Sequence, residues 1–246
     1  MKAIQLIGQY GYLMFKTFAK PDSWKMFFRQ YIREMEKQGI GSLSITIIIS
    51  IFIGSAITMQ MVLNTDSPLL PKYVTGLTTR ETILLEFSST ILCLILAGKV
   101  GSNIASEIGT MRITEQIDAL DIMGVNSANY LILPRIAAFV SVVPFLVLFS
   151  MFFGIWGGYA MARFTSIISV EDYVYGIQYA FNSYYITYSL IKSVVFAYLI
   201  SSISAFYGYF VKGGALEVGK ASTDAVVKSS IFVLLFNVIL TDLLLM

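Results

Sequence analysis

The chain has 246 residues, of which 57% are hydrophobic and 13% are charged, with a formal net charge of +2. Soluble domains hold about 45–50% apolar and about 25% charged residues, so this composition requires the bilayer as solvent and gives no reason to expect nucleic acid as a partner. There is no histidine, and the one cysteine, Cys93, lies in an apolar run. We therefore expect no catalytic residue, no metal site and no cofactor.

The first 38 residues predict two amphipathic helices at the inner membrane surface. Apolar residues recur at helical spacing on both sides of Pro21, and glutamines interrupt the first run where a signal peptide would be continuously apolar. Basic residues lie between the aromatic residues of the second run. A soluble helical hairpin is the alternative, and it is less favoured because the chain continues directly into an apolar span.

Apolar runs with few charges predict five membrane spans, since a helix of about 20 residues crosses the hydrocarbon core. The tyrosine-rich stretch at 173–188 has the composition of a membrane–water interface, which favours one span there rather than two. The predicted spans are residues 39–63, 83–106, 134–162, 189–211 and 229–246. The predicted fold class is an all-α polytopic membrane protein, formed by a single domain over 1–246.

The distribution of basic residues predicts the orientation. With five spans, thirteen basic residues fall on the side of the N-terminus, whereas Lys72, Arg80 and Arg163 fall on the other side. The positive-inside rule then places the N-terminus in the cytoplasm and the C-terminus outside. Four charged residues lie near the predicted span ends: Glu86, Lys99, Lys192 and Asp242. Snorkelling to the interface is the expected explanation for Lys192 and Asp242, while Lys99 lies deeper and is a candidate functional residue.

The loop between the second and third spans predicts an amphipathic helix over residues 107–125. Its apolar residues recur near helical period: Ile113, Ile117, Leu120 and Met123. Four acids (Glu107, Glu115, Asp118 and Asp121) accompany one base, Arg112. A helix that merely rests on the bilayer is the simpler interpretation, but such helices favour Lys and Arg, so the acidic composition modestly favours docking on a protein partner.

Several motifs carry a resemblance to a known family. The stretch AGKVGSNIASEIGTMRITEQIDALDIMGV at 97–125, GIWGG at 154–158, IKS at 191–193 and KGGALEVGKAST with AVVKSS at 212–230 occur in order and spacing. Together they resemble the MlaE (YrbE) family of ABC-transporter permeases, from the first span to nearly the end of the chain.

The resemblance implies a homodimeric permease in the bacterial inner membrane, with an interfacial N-terminal helix and five spans. It implies a cytoplasmic ABC ATPase, a periplasmic MCE-domain protein and phospholipid as partners, and therefore a C-terminus in the periplasm. The segment at 107–123 would be the coupling helix that docks on the ATPase. Its expected contacts are Glu107, Arg112, Glu115 and Asp118.

The sequence departs from the family pattern in two places. Leu85-Glu86-Phe87-Ser88-Ser89 stands where many relatives have Arg-Glu-Leu-Gly-Pro, which predicts a straighter second helix, and Lys99 stands where an arginine is frequent. The stretch 214–221 matches the phosphate-binding loop pattern G-x-x-x-x-G-K-[ST] except at its last position, where Ala221 replaces the serine or threonine. It joins two spans rather than a strand and a helix, so we expect a separate chain to hydrolyse ATP.

The predicted lipid pathway lies at the outer end of the first span. An acyl chain costs ~0.8 kcal/mol per methylene to expose to water, so a lipid carrier needs an apolar lining. Met59, Gln60, Met61 and Leu63, together with Lys99, are the candidate residues, and a cavity between spans one and five of a dimer is the hypothesis. The glycines of GIWGG favour close packing within the chain. An ion channel, a proton-coupled carrier or a membrane anchor for a cytoplasmic complex are the alternatives; the first two need ionisable residues deep within spans, which are scarce.

Overall fold

The computed structural model describes residues 2–21, 23–65, 70–165 and 167–245. These described residues form helices and turns without a strand, which confirms the all-α prediction. Five of their helices are long and apolar enough to cross a membrane, which confirms the predicted number of spans. The five run Trp24–Thr65, Val74–Ile113, Ser127–Thr165, Tyr184–Tyr209 and Ala215–Leu245.

Each of these helices extends beyond at least one end of the apolar run that predicted it. The last one begins at Ala215 rather than at residue 229, and it includes Lys220, Asp224 and Lys228. An apolar run marks only the part of a helix that suits hydrocarbon, whereas backbone hydrogen bonding continues into polar flanks.

The N-terminal part forms two helices, α1 (Lys2–Thr17) and α2 (Trp24–Met35). A π-helical turn at Glu36–Ile40 connects α2 to α3 (Gly41–Thr65), so the second amphipathic helix and the first span form one continuous helix. Placement of α1 and α2 at the membrane surface stays a prediction.

The second span is irregular. It consists of α4 (Val74–Thr82), a π-helical stretch at Ile83–Ile91, α5 (Leu92–Leu96), a second π-helical stretch at Ala97–Gly101 and α6 (Ser102–Ile113). The expected straighter helix around Leu85–Ser89 is therefore wrong. Loss of proline and glycine does not keep the backbone ladder regular there, because side chains from elsewhere take up its carbonyl groups: Ser189 donates to the Leu84 oxygen and Lys192 to the Leu85 oxygen.

The remaining helices follow in chain order. They are α7 (Gln116–Ile122), α8 (Ser127–Thr165), α9 (Val170–Gln178), α10 (Tyr184–Tyr209) and α11 (Ala215–Leu245). Helix α9 holds the first tyrosines of the interfacial stretch and is too short to cross a bilayer, so one span follows, as predicted. The Ser169 hydroxyl caps α9 by accepting the amide of Asp172 at 3.0 Å.

The chain divides into two compact units. The first comprises Met1–Gly41, Leu94–Val143 and Val194–Met246, and the second comprises Ser42–Cys93 and Pro144–Ser193. Fully or almost fully buried side chains in the first unit are Ile104, Ile108, Ile117, Ile132, Phe139 and Phe196. In the second they are Ile83, Phe87, Val147, Tyr173 and Tyr188.

Small residues bring α3 against α8 in the second unit. A Cβ on Gly54 would overlap the carbonyl oxygen of Gly154, and one on Gly157 would overlap the carbonyl oxygen of Ile51. The Ser50 hydroxyl donates to the Ser150 hydroxyl at 2.8 Å. The GIWGG glycines thus pack within the chain, as expected, because only a missing side chain lets the two backbones approach this closely.

Candidate functional site

The loop that predicted a single amphipathic helix contains two helices. Helix α6 ends at Ile113, and α7 begins at Gln116 after Glu115 adopts a left-handed backbone conformation with φ of 59°. This conformation is uncommon for a residue with a side chain and changes the chain direction. The predicted helix over 107–125 is therefore the end of the second span followed by a separate short helix.

An ion pair joins these two helices. Nη1 of Arg112 lies 2.7 Å from Oδ1 of Asp118, and the Arg112 guanidinium also lies over the Tyr209 ring at 5.9 Å. Side-chain exposure of 34% and 50% means that solvent screens this pair, so its contribution to stability is at most about 1 kcal/mol. It is one of the contacts between α6 and α7.

The tip of this loop presents apolar side chains among acids. Ile117 is buried, whereas Ile122 and Met123 are 87% and 67% exposed. Glu115 and Asp121 are exposed beside them. We call residues 115–123 the docking segment, because neighbouring exposed apolar side chains are typical of a surface that binds another molecule.

Glu107 lies away from this tip, inside a group of charged side chains. Its carboxylate pairs with the ammonium of Lys37, and its Oε2 atom lies 3.5 Å from Nη2 of Arg135. Nε of Arg135 is 3.3 Å from Oε1 of Glu34. We call these four residues the Arg135 cluster. The sequence did not reveal it, since its members lie on separate helices and each one alone reads as an ordinary basic or acidic residue near a span end.

A cleft of about 710 Å³ lies between the Arg135 cluster and the docking segment. Helices α2, α6, α7 and α8 line it through Gln30, Arg33, Glu34, Lys37, Glu107, Met111, Gln116, Ala119, Leu120, Met123, Tyr130, Leu131, Pro134 and Arg135. The cleft thus has Met123 of the docking segment on one side and the ion pairs on another.

The candidate lipid-pathway residues lie on the last two turns of α3. Leu63 is 72% exposed and Met59 is 47% exposed, four residues apart on one face, with Gln60 exposed beside them and Met61 half-buried. Lys99 belongs to the other compact unit, where its ammonium donates to the carbonyl oxygen of Gly41. Their role in lipid movement stays a prediction.

Lys192 differs from its expected position. It is fully buried rather than snorkelling, because its ammonium finds partners within the second unit. Nζ lies 3.1 Å from Oε1 of Glu86 and 2.9 Å from the Tyr188 hydroxyl, and Thr90 donates to the other Glu86 oxygen at 3.1 Å. This pairing could not be predicted from the sequence, since a contact across 106 residues leaves no local pattern.

Other buried polar groups also join segments that are distant in the sequence. The guanidinium of Arg80, 1% exposed, donates to the carbonyl oxygens of Ile177 at 2.8 Å and Tyr179 at 2.7 Å, and thereby holds the end of α9. Burial raises the pKa of Tyr10 to about 12, so its hydroxyl stays protonated and donates to Ser202 at 2.9 Å.

The described residues contain no group of three or more Cys, Asp or Glu side chains that could hold a metal ion. Within them the concentrations of charge are the Arg135 cluster, the acidic docking segment and the Lys192–Glu86 pair. None of these arrangements places a nucleophile beside a general base.

Comparison with known proteins identifies the family. The sequence model described as "Permease MlaE" matches residues 31–243. A probable ABC transporter permease of Rickettsia bellii is 30% identical over 99% of this chain and 93% of its own length. A probable ABC transporter permease of Synechocystis is 31% identical over 88% of this chain and 82% of its own length. The Arabidopsis thaliana chloroplast protein named trigalactosyldiacylglycerol 1 is 31% identical over 89% of this chain and 62% of its own length. The chain therefore belongs to the MlaE family of ABC-transporter permeases.

Proposed function

We propose that two copies of this permease form the membrane part of a transporter that moves phospholipid between the bacterial inner membrane and a periplasmic MCE-domain partner. A separate cytoplasmic ATPase supplies the energy. The N-terminus then lies in the cytoplasm and the C-terminus in the periplasm, in keeping with the excess of basic residues on the N-terminal side.

The docking segment is the observation that carries this proposal. It presents Ile122 and Met123 at the end of a short helix that the Arg112–Asp118 pair joins to α6. Its exposed acids, Glu115 and Asp121, would be unfavourable against an anionic membrane surface. A protein with an apolar pocket and basic rim is the better partner, and an ATPase that drives a permease must bind such a segment.

Lipid as the transported molecule is supported by the outer part of the first span. The face with Met59 and Leu63 is apolar and exposed, and methionine adapts to irregular chains. Each acyl methylene that stays out of water saves ~0.8 kcal/mol, so a path along such a face suits an acyl chain better than an ion. The Arabidopsis relative is itself named after a glycolipid.

Substitution of the docking segment tests the proposal. We expect I122D to reduce at least tenfold the amount of ATPase that co-purifies with the permease in mild detergent, because an aspartate would be buried without a partner at the interface. L216D is the matched control, since Leu216 is 75% exposed at the start of α11 and lies outside the docking segment.

Native mass spectrometry of the wild-type complex gives the second readout. A two-plus-two assembly of permease and ATPase that carries phospholipid supports the proposal. A monomer without ATPase or lipid contradicts it, as does equal recovery of ATPase with I122D and L216D.

A proton-coupled carrier is the second candidate, and one observation favours it. The Lys192–Glu86 pair places two ionisable groups within membrane spans, where such groups often belong to ion pathways. Transport in proteoliposomes separates the two candidates. Lipid movement that requires ATP and does not change with an imposed pH gradient supports the ABC transporter. Transport that requires the pH gradient and does not require ATP supports the carrier.

A further inference from the structure

We infer that the Arg135 cluster is a positioning device that joins the docking segment to α2 and the first span, so that these elements move together when the ATPase binds nucleotide. This inference rests on the proposed function. It assigns Glu34, Lys37 and Arg135 a role that no sequence motif indicates, and it deepens the role expected for Glu107.

Arg135 is the centre of the device because it contacts acids from two different helices. Glu34 comes from α2 and lies 3.3 Å from its Nε, whereas Glu107 comes from α6 and lies 3.5 Å from its Nη2. Lys37, in the π-helical turn after α2, binds the same Glu107 carboxylate. Arg135 itself is fixed on α8, where Nη1 donates to the Leu131 carbonyl oxygen at 2.7 Å.

The elements on either side of the cluster are also fastened. The Tyr31 hydroxyl donates to Ser141 at 2.9 Å, and Gln38 donates to the second Glu34 oxygen at 3.0 Å. On the other side, α6 continues through the turn at Glu115 into the docking segment. A displacement of α7 therefore reaches α2 through Glu107, Arg135 and Glu34, and it reaches the π-helical turn directly through Glu107 and Lys37.

Burial strengthens the ion pairs of this cluster by reducing their screening by solvent. The Arg135 and Glu34 side chains are 7% and 15% exposed, so their ion pair is screened little. Nε of Arg135 makes no hydrogen bond among the described residues, so the pair acts through charge. Apolar contacts would tolerate sliding, whereas paired charges favour discrete arrangements. The adjacent cleft of about 710 Å³ leaves room for Met123 and α7 to move. The π-helical turn at Glu36–Ile40, beside the cluster, is a type of helix irregularity that often marks functional positions.

The experiment compares two glutamates two residues apart. E34Q removes the charge that faces Arg135 and keeps the side-chain shape, while E36Q removes an exposed charge that makes none of the ion pairs found among the described residues. Both variants are prepared as full permease–ATPase complexes in lipid nanodiscs and in phospholipid proteoliposomes. Hydrogen–deuterium exchange of residues 24–40, with and without ATP plus vanadate, reports whether α2 responds to the ATPase. Lipid transferred per ATP hydrolysed reports coupling.

In the wild type and in E36Q we expect the exchange of residues 24–40 to change on nucleotide trapping. In E34Q we expect that change to shrink at least threefold and the lipid-to-ATP ratio to fall at least fivefold, while ATPase recovery stays close to wild type. The unfolding temperature should fall but not collapse, because Arg135 keeps Glu107 as a partner. R135K keeps the charge but does not reach Glu34 and Glu107 at once through separate nitrogens, so it should fall between wild type and E34Q.

Three results would overturn the inference. The exchange of residues 24–40 in the wild type could be the same with and without nucleotide, or E34Q could match E36Q in both exchange and lipid transferred per ATP. The third is that E34Q lowers ATPase recovery and changes neither of the other two measurements. Failure of the proposed function is distinguishable from these. A wild-type complex that moves no phospholipid but still changes exchange at 24–40 would refute lipid transport and leave the positioning role intact.

Discussion

The first and fourth spans use their surfaces in opposite ways. The fourth span is 72% buried over its most apolar 18 residues and has a mean hydropathy of 1.6 there. The first is 22% buried and has a mean hydropathy of 2.2. The span that lies inside the protein is thus the more polar of the two, and the more exposed span is the more apolar.

Solvent explains this difference. In a bilayer the surroundings are as apolar as a leucine side chain, so burial does not select for apolar residues, and polar groups are best placed where other protein groups can bind them. The fourth span carries Lys192 and several buried serines, among them Ser189 and Ser201. The first span keeps its small residues toward the protein and leaves Phe52, Met59 and Leu63 exposed.

The strongest test of this contrast removes the partner of the buried lysine. We expect E86Q to destabilise the protein by up to about 3 kcal/mol, because the fully buried ammonium of Lys192 would lose a carboxylate that is itself 44% exposed and keep the Tyr188 hydroxyl. Thermal unfolding in detergent measures the loss. The double variant E86Q/K192M should recover a large part of it, and a double variant as unstable as the single one would contradict the buried-pair explanation.

A charge on the exposed face of the first span tests its role in transport. L63D or M61D places a carboxylate on the candidate lipid path, at a cost of up to about 2.5–3.5 kcal/mol on membrane-insertion scales. We expect lipid transport in proteoliposomes to fall by up to roughly a hundredfold, as that free energy implies, with ATP hydrolysis unchanged. L63M is the control. Undiminished transport by both charged variants would remove this face from the lipid pathway.

The contact between the small-residue face of the same span and α8 provides the smallest effect. G157A would bring a Cβ against the Ile51 carbonyl oxygen and force α3 and α8 apart. We expect a loss of about 1–3 kcal/mol in the free energy of unfolding, typical of overpacking. G98A is the matched control, since a Cβ there would meet no atom within 4 Å. Equal unfolding temperatures of the two variants would show that the close approach is dispensable.

The sequence was sufficient for features that repeat along the chain. Apolar runs with few charges predicted five spans, and the GIWGG glycines predicted close packing within the chain but not that α3 is the partner helix. Span ends were less predictable, because α11 passes through Lys220, Asp224 and Lys228 without interruption. A helix ends where its backbone hydrogen bonds end, and that position need not coincide with a change in polarity.

Features that depend on distant partners were not predictable. The loop after the second span has helical periodicity throughout, yet the chain turns at Glu115. This residue adopts a left-handed conformation that glycine usually takes, so its residue type did not predict the turn. The sequence pattern predicts Glu107 as part of an acidic docking helix, but its carboxylate forms ion pairs with Lys37 and Arg135. Lys192 reads as a snorkelling residue until Glu86 is placed beside it. In each case a tertiary contact overrides the local pattern.

The buried pair also constrains how the chain can be made. While the fourth span leaves the ribosome, an isolated Lys192 would disfavour its entry into the membrane by about 2.5–3.5 kcal/mol near the helix centre. Glu86 was synthesised 106 residues earlier and is already available in the second span. Insertion of the fourth span is therefore assisted by a helix that precedes it, so nascent chains that stop after residue 211 should integrate this span less efficiently when position 86 carries glutamine.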